Sequence, residues 1–143
     1  MSYEEKRTWA YLVTSLGAYV VYLVIIWQRV LHTPVSEIHY VAVLLWTALA
    51  SMIASMLLGT MIETARPSES RRADVRDRDI ARFGEHVSRW CVVAGAGTAM
   101  FMAMARLDYF WIANTIYLGF VLWAVVGSVL RLVAYRRGLT AHA

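Results

Sequence analysis

Four long stretches of this chain contain no Asp, Glu, Lys or Arg, and nearly all of their residues are apolar. They lie between Arg7 and Arg29, Glu37 and Glu63, Arg89 and Arg106, and Asp108 and Arg131, with 21, 25, 16 and 22 residues. An α-helix needs about 20 apolar residues to cross the hydrocarbon core of a bilayer. The third stretch reaches this length when Val87 and Ser88 are included. The pattern therefore predicts four membrane-spanning helices, at about residues 8–29, 39–62, 87–105 and 109–131.

Composition supports a single membrane domain of the all-α class. Hydrophobic residues make up 59% of the chain, and its mean hydropathy is +0.51. A soluble domain would mix charges into its helices, because each helix would keep one face in water. Four spans and their connections use all 143 residues, so residues 1–143 are predicted to form one four-helix transmembrane bundle.

Basic residues are distributed unevenly between the two sides of a four-span arrangement. Only Arg29 and Arg106 fall on one side, and the other twelve of the 14 Lys and Arg residues fall on the opposite side. Loops that stay in the cytoplasm are rich in Lys and Arg. We therefore expect both termini and the charged connection, residues 63–86, to be cytoplasmic. This basic face suits anionic lipid headgroups at the inner surface, and nucleic acid is not expected as a partner.

The charged connection before the third span has helical periodicity of its own. Apolar residues recur along it at Ile80, Phe83, Val87 and Trp90. Opposite charges lie three or four positions apart, as in Asp74 with Arg78 and Asp79 with Arg82. We therefore predict that the third helix extends into the cytoplasm. The candidates for docking a partner there are Asp74, Asp77, Arg78, Asp79 and Arg82.

The two connections on the opposite side are short. The first contains Pro34, after which Ser36 is predicted to cap the second helix, with Glu37 and His39 in its first turn. The second is a tight turn at residues 106–108. Neither connection has room for a separate soluble domain.

Small residues form stripes along two of the predicted helices. Spaced four apart, they are Thr47, Ser51, Ser55 and Gly59 in the second helix and Gly95, Ala99 and Ala103 in the third. Because lipid tails are as apolar as leucine, helices associate in a bilayer through close backbone contact, which small side chains permit. We expect these faces, together with the polar Asn114 of the fourth helix, to pack the bundle. Self-association of the chain through one of them is the alternative.

The alternation of Asp and Arg at residues 74–79 is the most unusual stretch of the chain. Aspartate-rich sites on membrane-proximal helices hold magnesium diphosphate in membrane prenyl transferases, where carboxylates and substrate oxygens coordinate the metal. Here an arginine separates Asp77 from Asp79, and the chain has no second aspartate-rich motif. A salt-bridged helix face is favoured, and an enzyme acting on lipid or diphosphate at the inner face is a lesser alternative.

Other cofactor chemistry has weaker support. No histidine lies deep in a predicted span, which disfavours a haem held by two facing histidines. Met100 and Met104 share a helix face and have the thioethers that bind Cu(I), but methionine is an ordinary packing residue in membrane helices. No acidic or basic residue lies well inside a span, which argues against a proton-coupled transporter. We therefore predict no catalytic residue, no metal and no cofactor.

Two segments together resemble a family of small bacterial four-helix membrane proteins of unknown function. The first is Asp74-Val75-Arg76-Asp77-Arg78-Asp79-Ile80, before the third span, and the second is Tyr109-Phe110-Trp111-Ile112-Ala113-Asn114, at the start of the fourth. The usual family form of the first motif is Asp-Glu-Arg-Asp-x-x-Ile, and Val75 stands here in place of the glutamate. The resemblance covers mainly residues 74–137. It implies a four-helix fold and a bacterial inner membrane, and it brings no assigned reaction.

The sequence favours a role without catalysis. We expect a non-enzymatic integral membrane protein that acts as an oligomer, or as an accessory or regulatory subunit of a membrane complex. The small-residue faces and the charged extension of the third helix favour this role. The alternative is a small oligomeric transporter or channel with a pore lined by Thr47, Ser51 and Ser55.

Reporter fusions at residue 75 and at the C-terminus test the four-span arrangement. Two predicted spans separate these positions, so we expect both reporters to give a cytoplasmic signal. A fusion after Pro34, in the first outer connection, should give the opposite signal. Signals from opposite faces at residue 75 and the C-terminus would contradict the arrangement.

Overall fold

The computed structural model describes residues 3–34, 37–65 and 75–137, and this part of the chain consists of α-helices joined by short turns. The helices are α1 (Tyr3–Val30), α2 (Val41–Ala65), α3 (Val75–Met104) and α4 (Tyr109–Arg137). Each contains a segment of 24 to 28 residues that is long and apolar enough to cross a membrane. The prediction of an all-α, four-helix transmembrane bundle is confirmed, and the chain is a multi-pass membrane protein.

Helix α3 is continuous over 30 residues. Its membrane-span segment begins at Ile80, five residues after the helix itself begins at Val75. Ile80 is 2% exposed and anchors this first part of the helix on the bundle. Arg82 and Arg89 lie on the opposite side of the helix and are exposed. The polar segment before the third span therefore continues into the span without a break.

The start of α2 differs from the sequence prediction, which was wrong about the first turn. The helix begins at Val41, so Glu37 and His39 precede it, and Ser36 lies outside the described residues. The Tyr40 carbonyl accepts a bond from the Leu44 amide at 2.9 Å, which is the first hydrogen bond of the helix. The physical reason is Ile38, which is 7% exposed because it packs into the core beside the tyrosines.

The turn between α3 and α4 is a Schellman motif followed directly by a helix cap. The Leu107 amide donates to the Met102 carbonyl and the Arg106 amide to the Ala103 carbonyl, both at 3.0 Å. Arg106 occupies the left-handed position with φ 56°, where glycine is usual. Asp108 then caps α4, accepting a bond from the Phe110 amide at 2.8 Å. This turn fixes the antiparallel arrangement of the two helices.

The four helices pack as an open row in the order α2, α1, α4, α3. The contacts are extensive between α3 and α4, between α1 and α2, and between α1 and α4. Within the described residues, α2 touches α3 and α4 at only a few points. Arg136 of α4 lies 3.9 Å from Glu5 of α1, so both ends of the described chain lie at one end of the bundle. We call this the basic end.

Glycines bring α3 and α4 into backbone contact. A Cβ at Gly95 would lie 3.0 Å from the Cα of Gly119, closer than side chains normally pack. Nearer the basic end, a Cβ at Gly84 would lie 3.1 Å from the Gly127 carbonyl oxygen. Ser88, which is 1% exposed, lies between these two contacts on α3. Helices α3 and α4 therefore associate through the close approach of small residues, as helices in a bilayer commonly do.

Aromatic residues hold α1, α2 and α4 together at the end opposite the basic end. Tyr19, Tyr22 and Tyr117 form what we call the tyrosine cluster, with ring centroids 5.1–6.3 Å apart. Tyr22 is completely buried, and Phe110 of α4 is 4% exposed and packs edge-on against Tyr40 at 5.2 Å. Such edge-to-face contacts add to the packing energy of the rings. The cluster fills the space between the three helices on this side.

Substitution of Gly95 by alanine tests the backbone contact. Its new methyl group would meet the Gly119 backbone, so we expect Gly95→Ala to reduce the unfolding free energy by about 1–3 kcal/mol. Gly97→Ala, two residues away on the same helix, is the matched control, because a Cβ there meets nothing within 4 Å. It should be neutral or stabilise α3 by up to about 1 kcal/mol. Unfolding of both variants in mild detergent measures the difference, and equal stabilities would refute the contact.

Candidate functional site

A cavity of about 870 Å³ lies between the helices and reaches the basic end. All four helices contribute to its lining, although most of the lining comes from α1, α2 and α4. It exists because α2 is attached to α1 and stands away from α3. Its hydroxyl-bearing residues include Ser15, Ser51, Ser55, Thr60, Ser88 and Ser128. A cavity of this size between membrane helices, with this many hydroxyl groups, is the strongest candidate for a functional site.

Hydroxyl groups join α1 and α2 along one wall of the cavity. The Thr14 and Ser55 oxygens lie 2.8 Å apart, and the Thr14 hydroxyl is also 2.8 Å from the Ala10 carbonyl of its own helix. Since a carbonyl only accepts, Thr14 donates to Ala10 and Ser55 donates to Thr14. Ser51 makes a longer contact, 3.5 Å, to the Thr14 carbonyl. These hydroxyls are bonded to one another or to backbone, which suits a structural wall.

Charged residues line the part of the cavity at the basic end. They are Arg7, Glu63 and Arg131. The Arg7 guanidinium lies 5.8 Å from the centre of the Tyr11 ring, a cation–π distance. Arg131 lies against α3, where a Cβ at Gly84 would come within 2.8 Å of the Arg131 Cγ. This part of the lining carries two positive charges and one negative charge, and it is the most polar part of the cavity.

The tyrosine cluster closes the other end of the cavity. Tyr117 belongs to both, since it lines the cavity and packs on Tyr19 and Tyr22. The Tyr22 hydroxyl donates to Asn114 Oδ1 at 2.6 Å, and the Asn114 amide donates to the Phe110 carbonyl at 2.7 Å. Asn114 therefore joins α4 to α1 inside the bundle. The cavity is open at the basic end and filled with aromatic side chains at the other.

One side of the cavity faces the membrane. Its border consists of Met52 and Met56 on α2, 69% and 67% exposed, and of Phe120 and Trp123 on α4, 50% and 41% exposed. These side chains line the cavity and still reach the protein surface. On this side, between α2 and α4, the cavity is bordered by the apolar outer surface of the bundle.

The predicted packing residues lie in three different places. Ser51, Ser55 and Gly59 line the cavity, while Thr47 bonds to the Val43 carbonyl at 2.8 Å and lies 3.5 Å from the Tyr117 hydroxyl. Gly95 and Ala99, the latter 3% exposed, face the α3–α4 contact. Ala103 is exposed and does not continue that contact. From Gly95, the small residues that contact α4 instead continue toward the basic end of α3, through Ser88 to Gly84.

The predicted docking residues are largely beyond what the structure describes. Asp74 lies outside the described residues, and so do the side chains of Asp77, Arg78 and Asp79, whose backbone belongs to α3. Arg82 is exposed at the basic end. Docking through this group stays a prediction.

Arg131, Gly84, Ser88 and Ser128 belong to the site but were not among the residues singled out in the sequence. Arg131 served there only to mark the end of a span, Gly84 lay in the charged connection, and Ser88 was counted only toward the length of the third span. The sequence did contain a signal for Gly84 and Ser88. They belong to a series of small residues at steps of three and four, which are Gly84, Ser88, Cys91, Gly95 and Ala99. Nothing in the sequence indicated that Arg131 would lie on Gly84.

The chemistry of the site is that of hydrogen-bond donors. Within the described residues, no three His, Cys, Asp or Glu side chains come together as a metal site would require. Protein-family models, curated proteins and solved structures give no match to this chain. The geometry of the site places hydroxyl and guanidinium groups next to an apolar space.

A double-mutant cycle tests the bond between Tyr22 and Asn114. Tyr22→Phe and Asn114→Ala should each destabilise the bundle in detergent, with a coupling energy of about 0.6 kcal/mol, the average for hydrogen bonds between membrane helices, and at most about 1.7 kcal/mol. Thr47→Val with Tyr117→Phe is the control cycle, because those oxygens are 3.5 Å apart and should show little coupling. Coupling no larger in the first cycle than in the second would argue against the bond.

Proposed function

We propose that this chain is a non-enzymatic membrane protein that binds an amphiphilic ligand in the cavity between its helices. The observation that supports this is the division of the cavity lining. Arg7, Glu63 and Arg131 are at the basic end, and Tyr117, Phe120 and Trp123 are farther from it. A molecule with a polar head and an apolar tail matches that division, because each part would meet a surface of its own kind.

The apolar side of the cavity supports a ligand that arrives through the membrane. Met52, Met56, Phe120 and Trp123 border this side, and none of them is charged. Methionine is flexible and adapts to different apolar shapes, which suits a site for acyl chains. A water-soluble substrate would have no need of an apolar border on this side.

The hydrogen bonds made by the hydroxyl groups favour ligand binding over catalysis. A nucleophilic hydroxyl needs a base within hydrogen-bond reach, and the base needs a third group to orient it. Thr14, Ser51 and Ser55 instead bond to each other or to backbone carbonyls. These bonds stabilise the wall of the cavity.

A wider role as a subunit is part of the proposal. The extensive contacts of α2 are with α1, so much of its remaining surface is available to contact lipid, a second copy or another membrane protein. We propose an oligomeric or accessory subunit of a bacterial inner membrane, with the basic end in the cytoplasm. The excess of Lys and Arg at that end supports the orientation, and the family resemblance supports the membrane.

A small transporter or channel is the second candidate. Ser51 and Ser55 line the cavity, as a pore of this kind would require. The tyrosine cluster, however, fills the space beyond the cavity within one chain. Transport would require that cluster to open or a pore to form between several copies, so we rank this function below ligand binding.

Blocking the cavity tests ligand binding. Ala48 lines the cavity, whereas Ala50, two residues along α2, is exposed outside it. We expect Ala48→Phe to lower lipid retention by roughly tenfold, equivalent to about 1.4 kcal/mol, because the new ring occupies the ligand space. Ala50→Phe should retain lipid as the original protein does. Native mass spectrometry from mild detergent reports the retained lipid and the number of chains together.

Two results would contradict the proposal. One is a purified protein that retains no lipid under conditions that preserve its fold. The other is equal retention by the Ala48→Phe and Ala50→Phe variants, which would place the lipid on the outer surface of the bundle.

A further inference from the structure

Among the charged residues that line the cavity, Arg131 lies directly on the backbone of a neighbouring helix. We propose that its guanidinium binds the phosphate of an anionic phospholipid whose acyl chains lie in the cavity and along its apolar side. This inference rests on the proposed function and names the class of ligand.

The backbone of α3 is shaped to receive the Arg131 side chain. A Cβ at Gly84 would lie 2.8 Å from Cγ and 3.3 Å from Nε of Arg131, so the side chain lies directly on the bare Cα. Gly84 is itself buried in the contact with α4. The arginine is therefore packed between two helices and does not extend freely into water. Its orientation is set by the fold before any ligand binds.

The Arg131 Nε is a buried donor that lacks an acceptor. Within the described part of the chain, it and Trp9 Nε1 are the buried side-chain nitrogens without a hydrogen-bond partner. A guanidinium has donors only, and leaving one of them buried and unsatisfied is costly. Phosphate oxygens are the acceptors that match its planar geometry best, through two parallel bonds. The Nε itself is covered by α3, so a phosphate in the cavity would meet the terminal nitrogens of the Arg131 guanidinium.

The rest of the lining is compatible with a phosphate. Ser88 and Ser128 are buried, line the same cavity and carry hydroxyl groups. Arg7 contributes a second positive charge, and Glu63, which is exposed, contributes a negative one. The charges of the lining therefore sum to a positive value, which favours an anionic over a zwitterionic headgroup.

The position of Arg131 favours a lipid over a soluble anion. Arg131 lies six residues before the last residue of α4, Arg137. Arg131 is also the first charged residue after the apolar stretch of this helix, so it lies at the basic end of the span, where headgroups meet acyl chains. The apolar side between Met52 and Phe120 would let the chains of such a lipid reach the cavity from the bilayer. Anionic lipids are also attracted to basic residues at the inner surface of a membrane.

Lipid titrations of the purified full-length protein, followed by native mass spectrometry, test the inference. The probes are phosphatidylglycerol and phosphatidylcholine with identical acyl chains. We expect the unmodified protein to bind phosphatidylglycerol at least about tenfold more tightly, and Arg131→Gln to lose that preference. Arg131→Lys, which keeps the charge without the planar donors, should keep only part of it. Arg136→Gln is the matched control, because Arg136 packs over Trp9 outside the cavity, and it should keep the full preference.

The outcomes separate this inference from the proposed function. Binding of both lipids without a headgroup preference, or a preference that survives Arg131→Gln, overturns the role of Arg131 while leaving the cavity a lipid site. Failure of the unmodified protein to bind either lipid overturns both proposals. Unchanged phosphatidylcholine binding in Arg131→Gln shows that the variant is folded, so its lost preference is then due to the missing guanidinium.

A competition arm distinguishes a lipid from a soluble anion. Glycerol phosphate and inorganic phosphate carry the same acceptor oxygens without acyl chains. Neither should displace bound phosphatidylglycerol at millimolar concentration. Displacement by either one would show that the site takes a soluble anion and would overturn the assignment to a lipid.

Discussion

Close backbone approach between α3 and α4 is the contact on which the rest of the bundle depends. Water does not drive helices together inside a bilayer, so association requires van der Waals contact and hydrogen bonds. Gly95 and Gly119 lack side chains, so the two backbones come into van der Waals contact. The Gly84–Gly127 contact extends this contact toward the basic end. Helices α1 and α2 are then added to this pair with less extensive contacts. The cavity is the space left because α2 contacts α3 and α4 at only a few points.

Polar groups inside the membrane follow a second constraint, since lipid cannot satisfy them. The Tyr22 hydroxyl is hydrogen-bonded to Asn114, and the Ser55 hydroxyl to Thr14. The hydroxyls of Thr47 and Thr60 are hydrogen-bonded to carbonyls of their own helix. The two exceptions in the described structure, Arg131 Nε and Trp9 Nε1, lie at the basic end. Arg136 packs over the Trp9 ring, while Arg131 lines the cavity. Both buried donors without an acceptor in the described structure therefore lie at the basic end, and one of them belongs to a residue that lines the cavity.

The sequence predicted the fold because each membrane span can be recognised from the apolar composition of one continuous stretch of residues. It could not predict which helix faces meet, because that depends on the whole bundle. Residues spaced strictly four apart drift by about 40° per step around a helix, so a stripe through Gly95 and Ala99 leaves the interface at Ala103. The real interface includes a step of three, from Cys91 to Ser88, between its steps of four, and so passes through Ser88 to Gly84. The packing of Arg131 on Gly84 joins two helices that are far apart at these positions in the sequence. No local sequence pattern predicts it.

The open row also links ligand binding to the position of α2. A molecule in the cavity would contact α2 on one side and α4 on the other, which otherwise barely touch. Any ligand that binds only the folded bundle stabilises it, by about 2.7 kcal/mol at a concentration 100 times its dissociation constant. This is as large as the cost expected for disturbing a glycine contact, about 1–3 kcal/mol. A lipid in this site would therefore act as a structural element, fixing the distance between α2 and α4 that the protein contacts alone leave weakly determined.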